Sequence, residues 1–148
     1  PEAVSKEEDF LDGSCFKELL ADDKKFANPD DIERVVFCSG KVYYDLAKYR
    51  DESGLDNVAI IRIEQLYPFN EPMLHELVGP FKNCTKWVWA QEEPKNMGAY
   101  SYVAPRLSEE LDSRIRYSGR KPSSSPAAGS KAQHVREQKM LIEQAFEV

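Results

Sequence analysis

The chain has 148 residues, 41% apolar and 31% charged, with a formal net charge of −6. That length and balance suit one globular domain around a single core. No run reaches the roughly 20 apolar residues of a membrane span, and no leader of basic, apolar and small residues opens the chain, which argues against membrane insertion and a retained secretory signal. The first residue is Pro1 and not Met, so the chain is expected to be processed, or a piece of something longer.

Charge is unevenly spread. Residues 1–33 hold eleven acids against four lysines, while the other 115 residues hold 15 acids and 16 bases. The acidity therefore belongs to the N-terminal segment, and the isoelectric point argues neither for nor against an anionic ligand. Between Ser113 and Arg136 there is no carboxylate side chain, only Arg114, Arg116, Arg120, Lys121, Lys131 and Arg136. Neither nucleic acid nor a membrane is expected as a partner. Cys15, Cys38 and Cys84 stand far apart and outside any CxxC spacing, so no disulfide framework or zinc site is indicated, and a reducing compartment fits. His75 and His134 are solitary, and no metal site is expected.

The acidic segment contains Asn28-Pro29-Asp30-Asp31 and one short apolar patch near Phe16 to Leu20. It is predicted to be a linker over 1–33 with a short helix from about Phe16 to Ala21. From Arg34 the pattern becomes regular. Arg34 to Cys38 is a β-branched and apolar run ended by Ser39-Gly40, and Lys41 to Arg50 follows with helical spacing. Asn57 to Ile63 is almost continuously apolar, as in a strand buried on both faces. Tyr67-Pro68 fixes a loop, and a helix is predicted over Glu71 to Val78. Lys86 to Gln91 reads as the next strand, ended by Glu92-Glu93-Pro94, and a helix follows from about Ala99 to Leu111. Ile115 to Ser118 is a further strand, before a Ser, Pro and Ala-rich loop and a last helix from Lys131 to Phe146. Strands alternating with helices make an α/β sheet, mostly parallel, with helices on both faces, over residues 34–148.

In such sheets ligands gather where strands end and helices begin. Cys38-Ser39-Gly40-Lys41 sets a glycine and a lysine at a helix N-terminus, where backbone N–H groups favour an anion. Val35 and Val42 stand where a Walker loop needs glycine and a hydroxyl, and Gly40 lacks the partners of a dinucleotide fingerprint. Gly40 therefore reads first as a turn residue and second as an anion contact. Glu92 and Glu93 invite an acid/base role, but neighbours on a strand point to opposite faces; a salt bridge or an interface contact fits better. Cys38 has no dedicated histidine base and reads as core. Arg62 is a charge inside an apolar strand and needs a partner: Glu64, Glu92, Glu93 or an outside anion. Trp87, Trp89, Tyr67, Phe69, Tyr100 and Tyr102 form an aromatic set, either core beneath a loop or a surface buried against another domain. No catalytic residue is identified.

Four ordered segments carry a more specific signal. Val35-Val36-Phe37-Cys38-Ser39-Gly40-Lys41-Val42-Tyr43-Tyr44-Asp45-Leu46, Ile61-Arg62-Ile63-Glu64-Gln65-Leu66-Tyr67-Pro68-Phe69, Trp89-Ala90-Gln91-Glu92-Glu93-Pro94-Lys95-Asn96-Met97-Gly98, and Arg116-Tyr117-Ser118-Gly119-Arg120 with Ser125-Pro126-Ala127-Ala128-Gly129 closely resemble the C-terminal region of the thiamine-diphosphate-dependent component of 2-oxoglutarate dehydrogenase. The resemblance implies a transketolase C-terminal-type domain, a three-layer α/β/α unit whose mostly parallel mixed sheet has about five strands, one antiparallel. The fifth is expected to be short, near the end of the N-terminal segment or in a loop. It also implies an enzyme of the tricarboxylic acid cycle that decarboxylates 2-oxoglutarate on thiamine diphosphate with Mg²⁺ and passes the succinyl group to the lipoyl arm of the succinyltransferase component.

By the same resemblance the cofactor lies in preceding domains, so this chain alone holds none and is inactive. Its role is to pack against those domains and the homodimer partner, with Tyr67, Phe69, Glu92, Glu93 and Asn96 as interface candidates. Some members bind a regulatory nucleotide or acyl-CoA at the border of this domain, for which Arg62, and more weakly Lys41 and Arg120, are the candidate anion contacts. The family occurs in bacterial cytoplasm, the first expectation here, and in the mitochondrial matrix. The alternatives are the 2-oxoadipate-specific relative and a free-standing regulatory nucleotide-binding module.

Overall fold

The computed structural model describes residues 4–147. Five strands, β1 (Leu19–Leu20), β2 (Arg34–Cys38), β3 (Val58–Ile63), β4 (Lys86–Pro94) and β5 (Ile115–Arg120), form one sheet in the order β1-β3-β2-β4-β5. β3 and β4 flank β2 in parallel and β5 runs parallel to β4, whereas β1 pairs antiparallel with β3. Four helices, α1 (Val42–Glu52), α2 (Glu71–Val78), α3 (Tyr100–Glu110) and α4 (Lys131–Glu147), cover the two faces.

All five residues of β2 are buried, as in a central parallel strand with helices on both sides. Because successive side chains point to opposite faces, the strand divides its residues between two cores. Val35 and Phe37 join Ile61, Trp87 and Trp89 under Leu74 of α2 and Val103 and Leu107 of α3. Val36 and Cys38 join Ile60 and Val88 under Leu46 of α1 and Leu141 of α4. The result is the expected three-layer α/β domain. Phe37 and Trp87 stack with centroids 6.0 Å apart, and Trp89 is 1% exposed. Both tryptophans of the aromatic set are therefore core.

Helix α2 starts where the sequence predicts: Asn70 accepts a hydrogen bond from Met73 N–H, and Pro72 sits in the first turn, where no intrahelical donor is missed. Strands β4 and β5 run further than their apolar residues suggest, since Pro94 still pairs with Arg120 beyond an irregularity in register.

The N-terminal segment departs from its prediction. The chain is not helical over Phe16 to Ala21 but extended, and Leu19–Leu20 form β1 opposite Ile63 and Arg62. The apolar patch points only partly inward, with Leu19 1% and Phe16 68% exposed; pairing with the open edge of β3 outweighs a local helix. β1 is the short antiparallel strand that the family resemblance implies. Beyond it, Ile32 is fully buried in the core shared with α2 and α3.

Asp22, just after β1, is joined to the first long helix through an ion pair with Arg50, the two side chains being 4% and 2% exposed. The same carboxylate accepts the Ile60 N–H at 2.6 Å. Burial works against the charge on Arg50, but Asp22 and Asp51 outweigh it and hold its pKa above the ordinary value.

Candidate functional site

Helix α1 leaves β2 on one face of the sheet and α3 leaves β4 on the other. Their divergence opens a crevice at the carboxyl ends of neighbouring strands, the topological switch point of an open α/β sheet. It has a volume of about 520 Å³ and is lined by Gly40 and Lys41 after β2, Leu66 after β3, Gln91 and Glu92 on β4, and Tyr102 on α3.

Gly40 has φ +67°, the left-handed conformation that turns the chain sharply from β2 into α1. Its N–H donates to Glu64 Oε1 at 3.2 Å, so a carboxylate of the chain itself occupies an anion position at the start of α1. Lys41 is ion-paired with Glu92 across the crevice. Of the partners that the sequence offers Arg62, Glu64 stands nearest, with Nε 4.0 Å from Oε1. The Arg62 guanidinium also lies 4.4 Å from the Tyr43 ring centroid and 5.8 Å from that of Tyr44, contacts that favour a cation with restricted access to water.

Arg62 and the Gly40 N–H thus share Glu64, while the Lys41 side chain turns to Glu92, so each cation stands beside an internal carboxylate of its own. Arg120 does not join them. It sits at the end of β5, with Nε 2.6 Å from Glu137 and Nη1 donating to the Pro126 carbonyl at 2.9 Å.

The interface candidates fall at this same end: Tyr67 and Phe69 on the loop after β3, Glu92 and Glu93 at the end of β4, and Asn96 on the turn that follows. Tyr67 is 80% exposed, whereas Phe69 is packed partly into the core. Glu92 faces Lys41 and the Glu93 side chain is exposed. Asn96 is tied to the loop after β5, donating to the Ser123 carbonyl and accepting from the Ser123 N–H, both at 3.0 Å. Cys38 is buried, and desolvation pushes its thiol far above the usual range, so it is no nucleophile near neutral pH.

One organising residue is missing from the candidates. The buried Gln91 accepts from Trp89 Nε1 at 2.9 Å and from Tyr100 N–H at 3.0 Å, and donates to the carbonyls of Met97 at 2.7 Å and Pro94 at 3.1 Å. A single carboxamide thereby fixes the end of β4 and the turn from Lys95 to Ala99. Gly98 has φ +65°, and a Cβ there would stand 2.9 Å from Gln91 Nε2, so the loop closes on the amide only with glycine at that position. Tyr117 adds a clasp from β5, its hydroxyl donating to the carbonyls of Glu93 and Arg120 at 3.0 and 2.8 Å. Burial pushes that hydroxyl up to about 12. The available signal for Gln91 is a lone amide closing an apolar strand run.

The 2-oxoglutarate dehydrogenase C-terminal family model matches residues 4–146. The chain belongs to this family. Similar full-span matches of this 2-oxoglutarate dehydrogenase C-terminal domain include the mitochondrial 2-oxoglutarate dehydrogenase of Caenorhabditis elegans, 44% identical over 153 residues, which cover 100% of this chain and 15% of the relative. The 2-oxoglutarate dehydrogenase E1 component of Haemophilus influenzae is 40% identical over 99% of the chain and 16% of its own length. A 2-oxoadipate dehydrogenase complex component E1 homolog of Dictyostelium discoideum is 38% identical over the same shares, 99% and 16%. The chain thus spans about 15% of the length of the curated relatives it matches. The crevice and its Gln91-fixed loop are features of a C-terminal domain in this family.

Proposed function

We propose that this chain works as the C-terminal, assembly-supporting domain of a thiamine-dependent 2-oxoglutarate dehydrogenase. The observation that carries the reading is the family match over residues 4–146, with mitochondrial and bacterial enzymes of that name aligned along the whole chain. The full-length enzyme decarboxylates 2-oxoglutarate, with thiamine diphosphate and Mg²⁺ held by preceding domains, and passes a succinyl group to a lipoyl succinyltransferase. It acts in the mitochondrial matrix or in bacterial cytoplasm.

Among the described residues no three His, Cys, Asp or Glu side chains come together as metal donors. The chain contributes surface: the protruding Tyr67, Glu92 and Glu93 at the end of β4 and Asn96 on the turn that follows support contact with preceding domains and the dimer partner.

The full-length protein is expected to turn over 2-oxoglutarate with added thiamine diphosphate, and the chain alone neither to turn it over nor to bind the cofactor in calorimetry. Tight cofactor binding by the chain alone overturns the reading. Preference for 2-oxoadipate moves it to the second substrate, the one in the name of the Dictyostelium relative.

Arg62 and Lys41 remain the anion contacts of an effector at the domain border, with Arg120 a separate one at the end of β5. An incoming phosphate competes with Glu64 and Glu92 for the first two. Replacing Arg62 by Gln in the full-length enzyme is expected to abolish activation by a nucleotide or acyl-CoA while basal turnover persists. An unchanged effector response removes Arg62 from this role.

A further inference from the structure

The segment Arg120-Lys121-Pro122-Ser123-Ser124-Ser125-Pro126 leads out of β5, and its three hydroxyls are not equivalent. Ser123 Oγ accepts from the Ser125 N–H at 3.1 Å, and the Ser123 backbone is clamped by Asn96. Ser125 Oγ donates to the Ala127 carbonyl at 3.0 Å. Ser124 is exposed, and among the described residues its hydroxyl has no hydrogen-bond partner.

Beside these serines lies a groove of about 360 Å³ lined by Arg120, Lys121, Ser123, Gln133, Arg136 and Glu137. Arg120 is committed to Glu137 and its side chain is only 11% exposed. Lys121 and Arg136 are exposed and, among the described residues, have no carboxylate within ion-pair distance. No acidic side chain interrupts the sequence from Ser113 to Arg136. A new dianion on this loop therefore meets two exposed cations, Lys121 and Arg136, in a groove whose Glu137 carboxylate is paired with Arg120 and also feels the Arg136 charge.

We propose that Ser124 is a phosphoacceptor, read by a serine kinase with acidic subsites through Lys121 three residues before it, and that the phosphate is then held by Lys121 and Arg136. In the transfer, Ser124 Oγ forms a bond to the γ-phosphorus of ATP as the bond to the β–γ bridging oxygen breaks. ADP leaves, and the hydroxyl proton passes to the kinase's base. The product adds about −1.5 to −2 charges and three acceptor oxygens, the chemistry that lysine and arginine side chains capture. Asn96, on the turn that follows Glu92 and Glu93 of β4, ties that turn to this loop, so the modification reaches the surface proposed for assembly. That consequence rests on the proposed function, whereas the phosphoacceptor assignment does not.

The test uses the full-length protein, MgATP and a basic-directed serine kinase. One phosphate is expected, assigned to Ser124 by fragment mass spectrometry. Ser124→Ala should lose most of the incorporation, and Ser123→Ala and Ser125→Ala should retain it. By ³¹P NMR the second phosphate pKa should lie below the ordinary value of about 6, and Arg136→Ala, which leaves the recognition residues in place, should raise it. Phosphate on Ser123 or Ser125, or none on the protein while a peptide spanning residues 118–128 is modified, overturns the assignment. A second pKa indifferent to Arg136→Ala overturns the capture. Neither readout depends on turnover of a 2-oxo acid, so failure here is distinct from failure of the enzymatic reading.

Discussion

Asp22→Ala is expected to cost the domain about 3–5 kcal/mol, the range for removing one member of a buried ion pair. Two losses coincide. Among the described residues, the Arg50 guanidinium, 2% exposed, then keeps only the peripheral Asp51 carboxylate, 3.0 Å from its Nε, and a distant Val58 carbonyl. The Ile60 N–H on the outer edge of β3 loses its acceptor in the same step. Urea denaturation of the variant should show a midpoint shift of that size with little change in slope. The double substitution Asp22→Leu with Arg50→Met should recover much of the loss, because the expense lies in the unpaired charge and not in missing attraction. A single-variant loss below about 1 kcal/mol, the range of an exposed pair, contradicts the account.

The second large effect concerns Gln91→Ala. Removing the carboxamide strands the indole N–H of Trp89 and the Tyr100 N–H as donors, and the Met97 and Pro94 carbonyls as acceptors. Each such group costs about 1–3 kcal/mol when it finds no water, so the domain should lose about 3 kcal/mol or more. The Lys95 to Ala99 turn should loosen before the central sheet does. Amide exchange is the discriminating measurement: faster exchange at Tyr100 and through the loop, with β2 and β3 still protected, is the expected pattern. Unchanged exchange at Tyr100 would show that the amide does not govern the loop.

These two residues mark the boundary of what the sequence reveals. The central strands are legible because burial on both faces leaves continuous apolar runs at Val35 to Cys38 and Val58 to Ile61, and α2 is legible from Asn70 and Pro72. β1 is not, because two residues cannot display a period of two, and its pairing is decided by the edge of β3 a long way down the chain. Asp22 is one acid among many in an acidic segment; only the fold brings it to Arg50. The site is legible in outline. Its loops follow from strand ends, but the Arg62 partner had to be drawn from several carboxylates, and the bonds of Gln91 depend on a loop path that no local pattern encodes. Four long, ordered segments suffice for the family even so, since matched length carries specificity that a single motif lacks.

The short antiparallel strand has a further consequence. The outer side of β3 presents Ile60 and Arg62, and Glu64 stands just past its end; they are met in turn by the Asp22 carboxylate, by Leu20 and by the Glu18 carbonyl. A few residues of acidic chain thereby occupy an open sheet edge that would otherwise template pairing with another molecule. Negative charge on the covering segment adds repulsion between copies during any brief opening. The segment is thus a guard against aggregation, and its release through loss of Asp22 should be seen as clumping at high protein concentration before the domain as a whole has melted.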